Sequence, residues 1–338
     1  MTTSRFLLAL TLAIVGTTTF ASDELGEILL ADLEGMQLSL EGSPYYYWLT
    51  PENGRILLKK QCAPDPEDCD RDVVVIWSQN GSKLFDRTPR LDIPDLSGFD
   101  VRATALLGSD RLYLSAAIRR NELRWAVALY DIGAEELVAV IPTHPIRCRD
   151  LTGDSRGTLW CLGDDFAKHS NQEDFDLVYL FDHAGKLQGS TLRRSAYPEE
   201  PHPLTRVRTQ SGYGGFLPGD GPVRLWLPDH GELVSFDDDG EVAARLDLPK
   251  IADQRRAWLV SAPGGRVYSL LTRGADPEKP RDWTQALHRL SSDGSQWVPL
   301  HDPPTKLPKR IRLVGADEKG LVLLDRRSLT LYWWPIDE

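Results

Sequence analysis

The sequence has few residues of the kinds that mark common enzymes and metal sites, and none of their motifs. Its 338 residues include only four Cys, two Met and seven His. It contains no nucleophile elbow, no helical zinc-protease motif and no phosphate-binding loop with its lysine. Helical periodicity of useful length and long runs of one charge are also absent, which argues against a helical fold and a low-complexity chain.

Long apolar runs are confined to the N-terminus. Arg5 supplies a positive charge, residues 6–15 an apolar core, and residues 19–21 the small-x-small pattern of a cleavage site. This stretch is too short to span a bilayer, and no later stretch comes close. We therefore predict a secretory signal peptide over residues 1–21, a single domain over residues 22–338, and a periplasmic or secreted protein without membrane insertion.

Positive charge is also in short supply. The formal net charge is −11, from 39 Lys and Arg against 50 Asp and Glu. A protein this acidic is repelled by the phosphates of nucleic acids and by anionic membranes. The sequence therefore predicts no nucleic-acid partner.

A turn cassette recurs five times, and each copy lies between two alternating apolar runs. Its closing glycines follow one another at steps of 52, 52, 55 and 54 residues. Two alternating runs around a glycine-closed turn indicate a β-hairpin. A strand-based period of about fifty residues is typical of a β-propeller. The cassettes are Trp77–Gly81, Leu129–Gly133, Phe181–Gly185, Phe236–Gly240 and Leu290–Gly294.

Each unit divides into four predicted strands, which indicates an all-β fold of four-stranded antiparallel blades. The C-terminal unit offers only three strands before residue 338. Its outer strand is predicted within residues 27–40, paired with Leu329–Trp334, because otherwise the last blade would end on an exposed apolar edge. The expected architecture is a six-bladed β-propeller whose last blade is closed by an N-terminal strand.

The spacing of the four cysteines favours two local disulfides. Cys62 and Cys69 bracket a short loop, whereas Cys148 and Cys161 fall on opposite arms of a predicted hairpin with its turn at 153–157. Export would permit both bonds. A structural zinc site would instead need CxxC pairs, which the sequence lacks.

Two segments carry a likeness to a known class of propellers. Gly153–Cys161 and Leu177–Gly185 together resemble one NHL-type repeat. The chain thus resembles the secreted six-bladed propellers of the NHL-repeat, gluconolactonase-like and TolB-like group, a likeness that implies the fold without an activity. Gluconolactonase-like enzymes hold a divalent metal with carboxylate and asparagine ligands, but all four Asn here fall in predicted turns or loops. We therefore predict no metal and no cofactor.

The placement of arginine suggests a site. When the innermost predicted strands are aligned on their following turns, one column reads Tyr45 and five arginines. A second column, two residues later, adds three more arginines, Tyr47 and Trp258. Innermost strands line the channel of a propeller, so these side chains are expected near one mouth. The candidate ligand-binding residues are Arg102, Arg147, Arg149, Arg206, Arg208, Arg256, Arg310, Arg312, Tyr47 and Trp258.

Two interpretations of these arginines stay open. Their guanidinium groups bind a carboxylate, sulfate or phosphate at the channel mouth, or they pair with aspartates of neighbouring blades and hold the sheets in register. Aspartates placed for the second interpretation are Asp100, Asp150, Asp253 and Asp302.

The absence of catalytic motifs favours a non-enzymatic function. We predict an exported binding module that presents a loop-built face and an arginine-lined channel mouth to an anionic ligand or a protein partner. The alternative is a hydrolase of anionic sugars or lactones, sialidase-like or gluconolactonase-like, with Asp150 or Asp165 as the acid. The sialidase likeness rests on Ser291–Trp297, which resembles an Asp-box that is one residue short.

Overall fold

The protein folds into consecutive antiparallel β-sheets joined by turns and short loops. The computed structural model describes residues 26–29, 45–52, 55–62, 73–78, 80–87, 89–93, 103–108, 110–119, 123–154, 156–171, 173–182, 184–198, 203–204, 214–217, 222–249, 254–273, 284–300, 311–317, 320–325, 328 and 330–336. The predicted signal peptide lies outside these residues and stays a prediction.

Six four-stranded sheets follow one another along the chain and form the blades. Innermost strands of neighbouring blades adjoin, as β6 does with β10 and β18 with β22, so the predicted six-bladed β-propeller is confirmed. From the innermost strand outward, blade 1 comprises β2 (Tyr45–Glu52), β3 (Arg55–Cys62), β4 (Val73–Ser78) and β5 (Lys83–Arg87), and blade 2 comprises β6 (Thr104–Leu107), β7 (Arg111–Arg119), β8 (Leu123–Asp131) and β9 (Glu136–Pro142). Blade 3 comprises β10 (Ile146–Gly153), β11 (Leu159–Asp165), β12 (Asp176–Phe181) and β13 (Leu187–Arg193), and blade 4 comprises β14 (Gly215–Phe216), β15 (Arg224–Leu227), β16 (Glu232–Phe236) and β17 (Val242–Asp247). Blade 5 comprises β18 (Gln254–Ser261), β19 (Val267–Arg273), β20 (Thr284–Leu290) and β21 (Trp297–Pro299), and the first three strands of blade 6 are β22 (Ile311–Asp317), β23 (Gly320–Asp325) and β24 (Thr330–Trp334).

The fourth strand of blade 6 comes from the other end of the chain. Strand β1 (Gly26–Leu29) pairs antiparallel with β24, from Gly26 opposite Trp333 to Leu29 opposite Thr330. This strand starts one residue before the predicted range of 27–40, of which residues 30–40 lie outside the described part.

Helices are few and short in the described part of the chain. They comprise α1 (Pro89–Asp92) and α2 (Phe166–Ser170), together with brief 3-10 turns. Neither has the length or the apolar content needed to cross a membrane. Helix α2 matters below because it follows β11 directly and positions two side chains of the candidate site.

Apolar clusters fill all six interfaces between neighbouring blades. Between blades 3 and 4, the rings of Trp160 and Phe236 lie 5.4 Å apart. Between blades 6 and 1, Trp333 and Trp77 belong to one buried cluster. Because strand side chains alternate between the two faces of a blade, each blade can contribute to two such clusters. This packing accounts for the bulky side chains in the sequence.

The recurring cassettes form the turns between the third and fourth strands. In blade 3, Asp182 Oδ1 accepts hydrogen bonds from the backbone N–H groups of Ala184 and Lys186, each at 2.9 Å. In blade 4, Asp237 accepts the equivalent pair from residues 239 and 241 at 3.0 and 2.9 Å. The carboxylate therefore satisfies turn amides that no strand partner reaches.

The closing glycine of three cassettes also touches the preceding blade. Gly185, Gly240 and Gly294 have φ values of 82°, 91° and 71°, a region that disfavours residues with a Cβ. A Cβ on Gly240 would lie 2.6 Å from a methyl carbon of Leu180. The glycine thus serves the turn and the contact between blades. The cassette of blade 2 differs, since Glu135 rather than Gly133 takes the left-handed conformation (φ 52°).

Candidate functional site

The structure describes the predicted arginines unevenly. Four of them, Arg102, Arg206, Arg208 and Arg310, lie outside the described residues. Arg256 and Tyr47 lie in β18 and β2, but their side chains fall outside the described part. Side-chain geometry is therefore available for Arg147, Arg149, Arg312 and Trp258.

Arg147 and Arg149 lie at the start of β10, the innermost strand of blade 3. In the hairpin with β11, Arg147 is opposite Asp164, Cys148 opposite Gly163, and Asp150 opposite Leu162. Arg149 is thus the extra residue of a β-bulge, a feature that commonly turns a side chain toward a site. The bulge lets two arginines of one strand reach a single carboxylate of the next.

That carboxylate belongs to Asp164, which is fully buried, with a side-chain exposure of 0%. Arg147 Nε donates to Asp164 Oδ1 at 2.9 Å, and Arg147 Nη2 donates to Oδ2. Arg149 Nε donates to Oδ1 at 3.2 Å. Arg147 therefore binds the carboxylate with two nitrogens, in the fork geometry that makes such pairs strong, whereas Arg149 uses one.

Arg147 is fixed further by two aromatic rings. Its guanidinium carbon lies 5.6 Å from the ring centre of Trp125 in blade 2 and 5.5 Å from that of Phe166 at the start of α2. Cations are attracted to aromatic faces at such distances. Arg147 thus contacts blade 2 through the ring of Trp125, whereas the aspartate that it binds belongs to its own blade.

Helix α2 is held at the site by Asp165, the last residue of β11. Asp165 Oδ1 accepts hydrogen bonds from Ala167 N at 3.1 Å and Lys168 N at 3.2 Å, as an N-cap does. The helix places His169 Nδ1 3.8 Å from Asp164 Oδ2. Asp165, predicted as a possible catalytic acid, therefore has a structural role in α2.

The ionisation of Asp164 reflects a balance between burial and its two arginines. Burial disfavours the charged carboxylate, but the hydrogen bonds and charges of Arg147 and Arg149 outweigh it and hold the pKa of Asp164 below its ordinary value. Asp164 is therefore an anion at neutral pH. The site combines two guanidinium cations with one carboxylate.

A disulfide joins the two strands that carry these charges. Cys148 and Cys161 are bonded, with 5.3 Å between their Cα atoms, so this predicted pair is confirmed. The two residues are not directly opposite each other, contrary to the predicted register. Cys161 is opposite Leu151 and Cys148 is opposite Gly163, because the ladder closes at Gly153 opposite Leu159, nearer the C-terminus than the sequence predicted. The predicted Cys62–Cys69 bond involves residue 69 and the Cys62 side chain, which lie outside the described part, and it stays a prediction.

Gly163 lets the two strands approach closely beside Asp164. A Cβ at this position would collide with the carbonyl oxygen of Arg147 and lie 2.9 Å from its carbon. The obstacle is backbone rather than a flexible side-chain end, so a substitution must push the strands apart.

We expect Gly163→Ala to lower the free energy of unfolding by about 3 kcal/mol, the upper part of the usual range for overpacking. Urea unfolding measures this loss. Gly189→Ala is the matched control, since nothing lies within 4 Å of a Cβ there and the site is also in a strand of blade 3. Equal stabilities of the two variants would contradict the close approach.

Within the described part of the chain, the partners of the Asp150 carboxylate are backbone amides. Its side chain is buried, and it accepts hydrogen bonds from Leu151 N and from Phe216 N of blade 4, each at 2.7 Å. It therefore joins two innermost strands through backbone amides. Because both oxygens are engaged in the interior, Asp150 is poorly placed to act as the acid of a hydrolase.

Arg312 has in β22 the position that Arg147 has in β10. Each arginine lies two residues before the extra residue of a β-bulge, and the residues on either side of it belong to the cluster shared with the preceding blade. Because strand side chains alternate between the two faces of a blade, Arg147 and Arg312 lie on the same face. The sequence alignment matched Arg312 with Arg149 instead and is two residues off in blade 6.

Trp258 is only 7% exposed and belongs to the apolar cluster between blades 5 and 6. Little of its ring surface is left for a ligand, and its predicted role beside one stays a prediction. Sequence reasoning missed Asp164, His169, Phe166 and Trp125. Extending the hairpin register from the turn would not have found Asp164, because without the bulge that register places Cys148 rather than Arg147 opposite it.

Residues suited to metal binding do not converge in the described part of the chain. No group of three or more His, Cys, Asp or Glu side chains lies close enough there to hold an ion. The arginines and Asp164 are thus the main concentration of charge described on the channel side of blade 3.

Comparisons with known proteins find likeness only at the level of the fold. No family model and no curated protein matches the chain. Among solved structures, a prolyl endopeptidase is 13% identical (TM-score 0.43; 88% of this chain, 42% of that chain), so the present chain spans less than half of it. A DUF4221 family member from Bacteroides vulgatus is 11% identical, with a TM-score of 0.47 and coverage of 94% of this chain and 99% of that chain. The β-propeller domain of the Trilobed protease from Pyrococcus furiosus is 8% identical, with a TM-score of 0.43 and coverage of 84% of this chain and 80% of that chain. Likeness at this distance transfers no activity, ligand or partner.

Proposed function

We propose that the protein is an exported propeller-type binding module that takes an anionic ligand at Arg149, near the start of the innermost strand of blade 3. The observation that carries this proposal is an unused guanidinium edge. Within the described part of the chain, Arg149 makes one hydrogen bond, through Nε to Asp164, and neither of its Nη atoms has a partner. Its side chain is 28% exposed.

We assign the two interpretations of the arginines to different residues. Arg147 is 15% exposed, binds Asp164 with two nitrogens and contacts two rings, so it is part of the framework. Arg149 is more exposed and keeps the end of its fork available. A planar guanidinium edge matches carboxylate and other oxyanions through two parallel hydrogen bonds.

Export is the second part of the proposal. The Cys148–Cys161 disulfide supports an oxidising compartment, since such bonds are rare in the cytosol. Together with the N-terminal signal pattern, this favours the periplasm or the exterior. Membership of the NHL-repeat or gluconolactonase-like class remains part of the proposal, as does the identity of any protein partner.

A hydrolase of anionic sugars receives less support from these contacts. Such an enzyme needs a carboxylate that faces the substrate. Asp164 is fully buried and bound by both arginines, Asp150 binds backbone amides, and Asp165 caps α2. The binding function requires only the available edge of Arg149.

The double substitution Arg149→Met and Arg208→Met is expected to abolish stabilisation by anions while leaving the fold intact. A ligand at about one hundred times its Kd stabilises a folded protein by about 2.7 kcal/mol, so the wild type should melt several degrees higher with a bound anion. Thermal-shift measurements with sugar acids, sulfate and phosphate provide the test.

Arg193→Met is the control, because Arg193 is 61% exposed on an outermost strand. It should respond to each anion as the wild type does. If the double variant unfolds and the wild type responds to no anion, these arginines only hold blades together and the proposed function is wrong.

A further inference from the structure

Among the described residues, the charges at the candidate site leave an excess of one cation. Two guanidinium groups contact one carboxylate: Arg147 through Nε and Nη2, and Arg149 through Nε. The neighbouring charges, Asp165 and Lys168, lie 3.8 Å apart and offset each other. The charges of these two arginines, two aspartates and one lysine sum to a single positive charge.

Asp164 cannot leave this arrangement easily. Its carboxylate has no exposed surface, and three hydrogen bonds from two arginines hold both of its oxygens. Rotating it away would leave two partly buried cations unpaired, which is costly. An incoming anion therefore meets Asp164 in place as a fixed negative charge.

We propose that Asp164 is a built-in counter-ion that limits the site to one excess positive charge, so that the ligand is a monoanion bearing a single carboxylate rather than a dianion. This inference rests on the proposed function. Asp164 is then a specificity-determining residue that acts through the arginines, not a residue that touches the ligand.

The preference follows from where each ligand charge would lie. One carboxylate can place its two oxygens on the two free Nη atoms of Arg149 and neutralise the excess charge. A sulfate or phosphate dianion would bring a second charge. Among the described residues that charge has no cation of its own, and it faces Asp164 through a partly desolvated region. Partial burial of an unpaired charge disfavours binding.

The first experiment compares anions on the wild-type protein by calorimetric titration at about pH 8, above the range in which histidines usually titrate. The probes are glucuronate, acetate and sulfate at constant ionic strength, with glucose as the uncharged analogue of glucuronate. We expect glucuronate to bind saturably and at least about tenfold more tightly than sulfate, with no binding of glucose.

Two variants separate the roles of the residues. Arg149→Met should lose the binding of every anion, and any stabilisation by sulfate that remains in it is the general effect of an excluded salt. Asp164→Asn removes the fixed negative charge and should reverse the preference, so that sulfate binds more tightly than glucuronate. If this variant does not fold, Asp164→Glu keeps the charge and should keep the wild-type preference.

The outcomes distinguish the inference from the function on which it rests. If the wild type binds sulfate as tightly as glucuronate and acetate or more tightly, and Arg149→Met abolishes that binding, the inference is overturned and the anion site stands. If the wild type binds none of these anions, the proposed function fails and the inference fails with it. A preference for glucuronate that Asp164→Asn leaves unchanged also overturns the role of Asp164.

Discussion

Deletion of residues 23–40 is expected to lower the free energy of unfolding by about 5 kcal/mol, through exposed apolar side chains and lost ladder hydrogen bonds. The deletion removes β1 and leaves the outer edge of β24 unpaired. Two large side chains on that strand, Leu331 and Trp333, are 0% and 5% exposed in the intact protein. Exposing these two side chains to solvent would also weaken the apolar cluster between blades 6 and 1.

Chemical unfolding of the deleted and full-length proteins measures this effect. The control is removal of residues 337–338 alone, which should change stability by less than about 0.5 kcal/mol, as most surface changes do. Glu27→Pro offers a milder version, because proline weakens a paired strand such as β1. A deletion as harmless as the control would show that β1 does not complete blade 6.

The stability contributed by Asp150 is expected to decrease as the pH rises from about 4 to about 7. Burial raises its pKa to about 7, even though two backbone hydrogen bonds act in the opposite direction. The folded state therefore holds this proton more tightly than the unfolded chain does. The contribution is complete below the unfolded-state pKa and is lost as the pH passes the folded-state value, a difference of about 4 kcal/mol by linkage.

Asp150→Asn isolates this effect because the amide cannot ionise. It should be less stable than the wild type near pH 4, since one of the two amides, Leu151 N or Phe216 N, loses its acceptor. Above about pH 7 the wild type carries a buried charge, so the difference in stability between the wild type and Asp150→Asn should vanish or change sign. Urea unfolding of both proteins at several pH values gives the difference between their free energies of unfolding. The contributions of the other ionisable groups cancel in this difference. A gap that does not change with pH would contradict the titration of Asp150.

The blade architecture could be predicted because its signal is local and repeated. Each cassette places an acceptor side chain and a glycine in a tight turn between two apolar strands. The hydrogen bonds of Asp182 and the φ of 82° at Gly185 show the chemistry behind that pattern. Five copies at a nearly constant period left few alternatives to radial repetition.

The candidate site could be predicted only in part, because it depends on a defect in the ladder. A bulge inserts one residue into a strand, and nothing in the residue types around Arg149 marks its position. In blade 6, alignment on the following turn matched Arg312 with Arg149, whereas the bulges show that Arg312 corresponds to Arg147. Asp164 was overlooked for a different reason, since it lies on the second strand of the hairpin rather than on the innermost one.

Pairing of β1 with β24 has a consequence for synthesis of the chain. Gly26 is made first, yet its partner Trp333 comes at the other end of the sequence. Blades 1 to 5 can form hairpin by hairpin, because their contacts are local. Ile56 and Trp77 in blade 1, however, belong to a buried cluster that blade 6 completes. A nascent chain therefore keeps apolar surface on both flanks of its growing arc, and it depends on protection from aggregation until residues 330–334 have emerged.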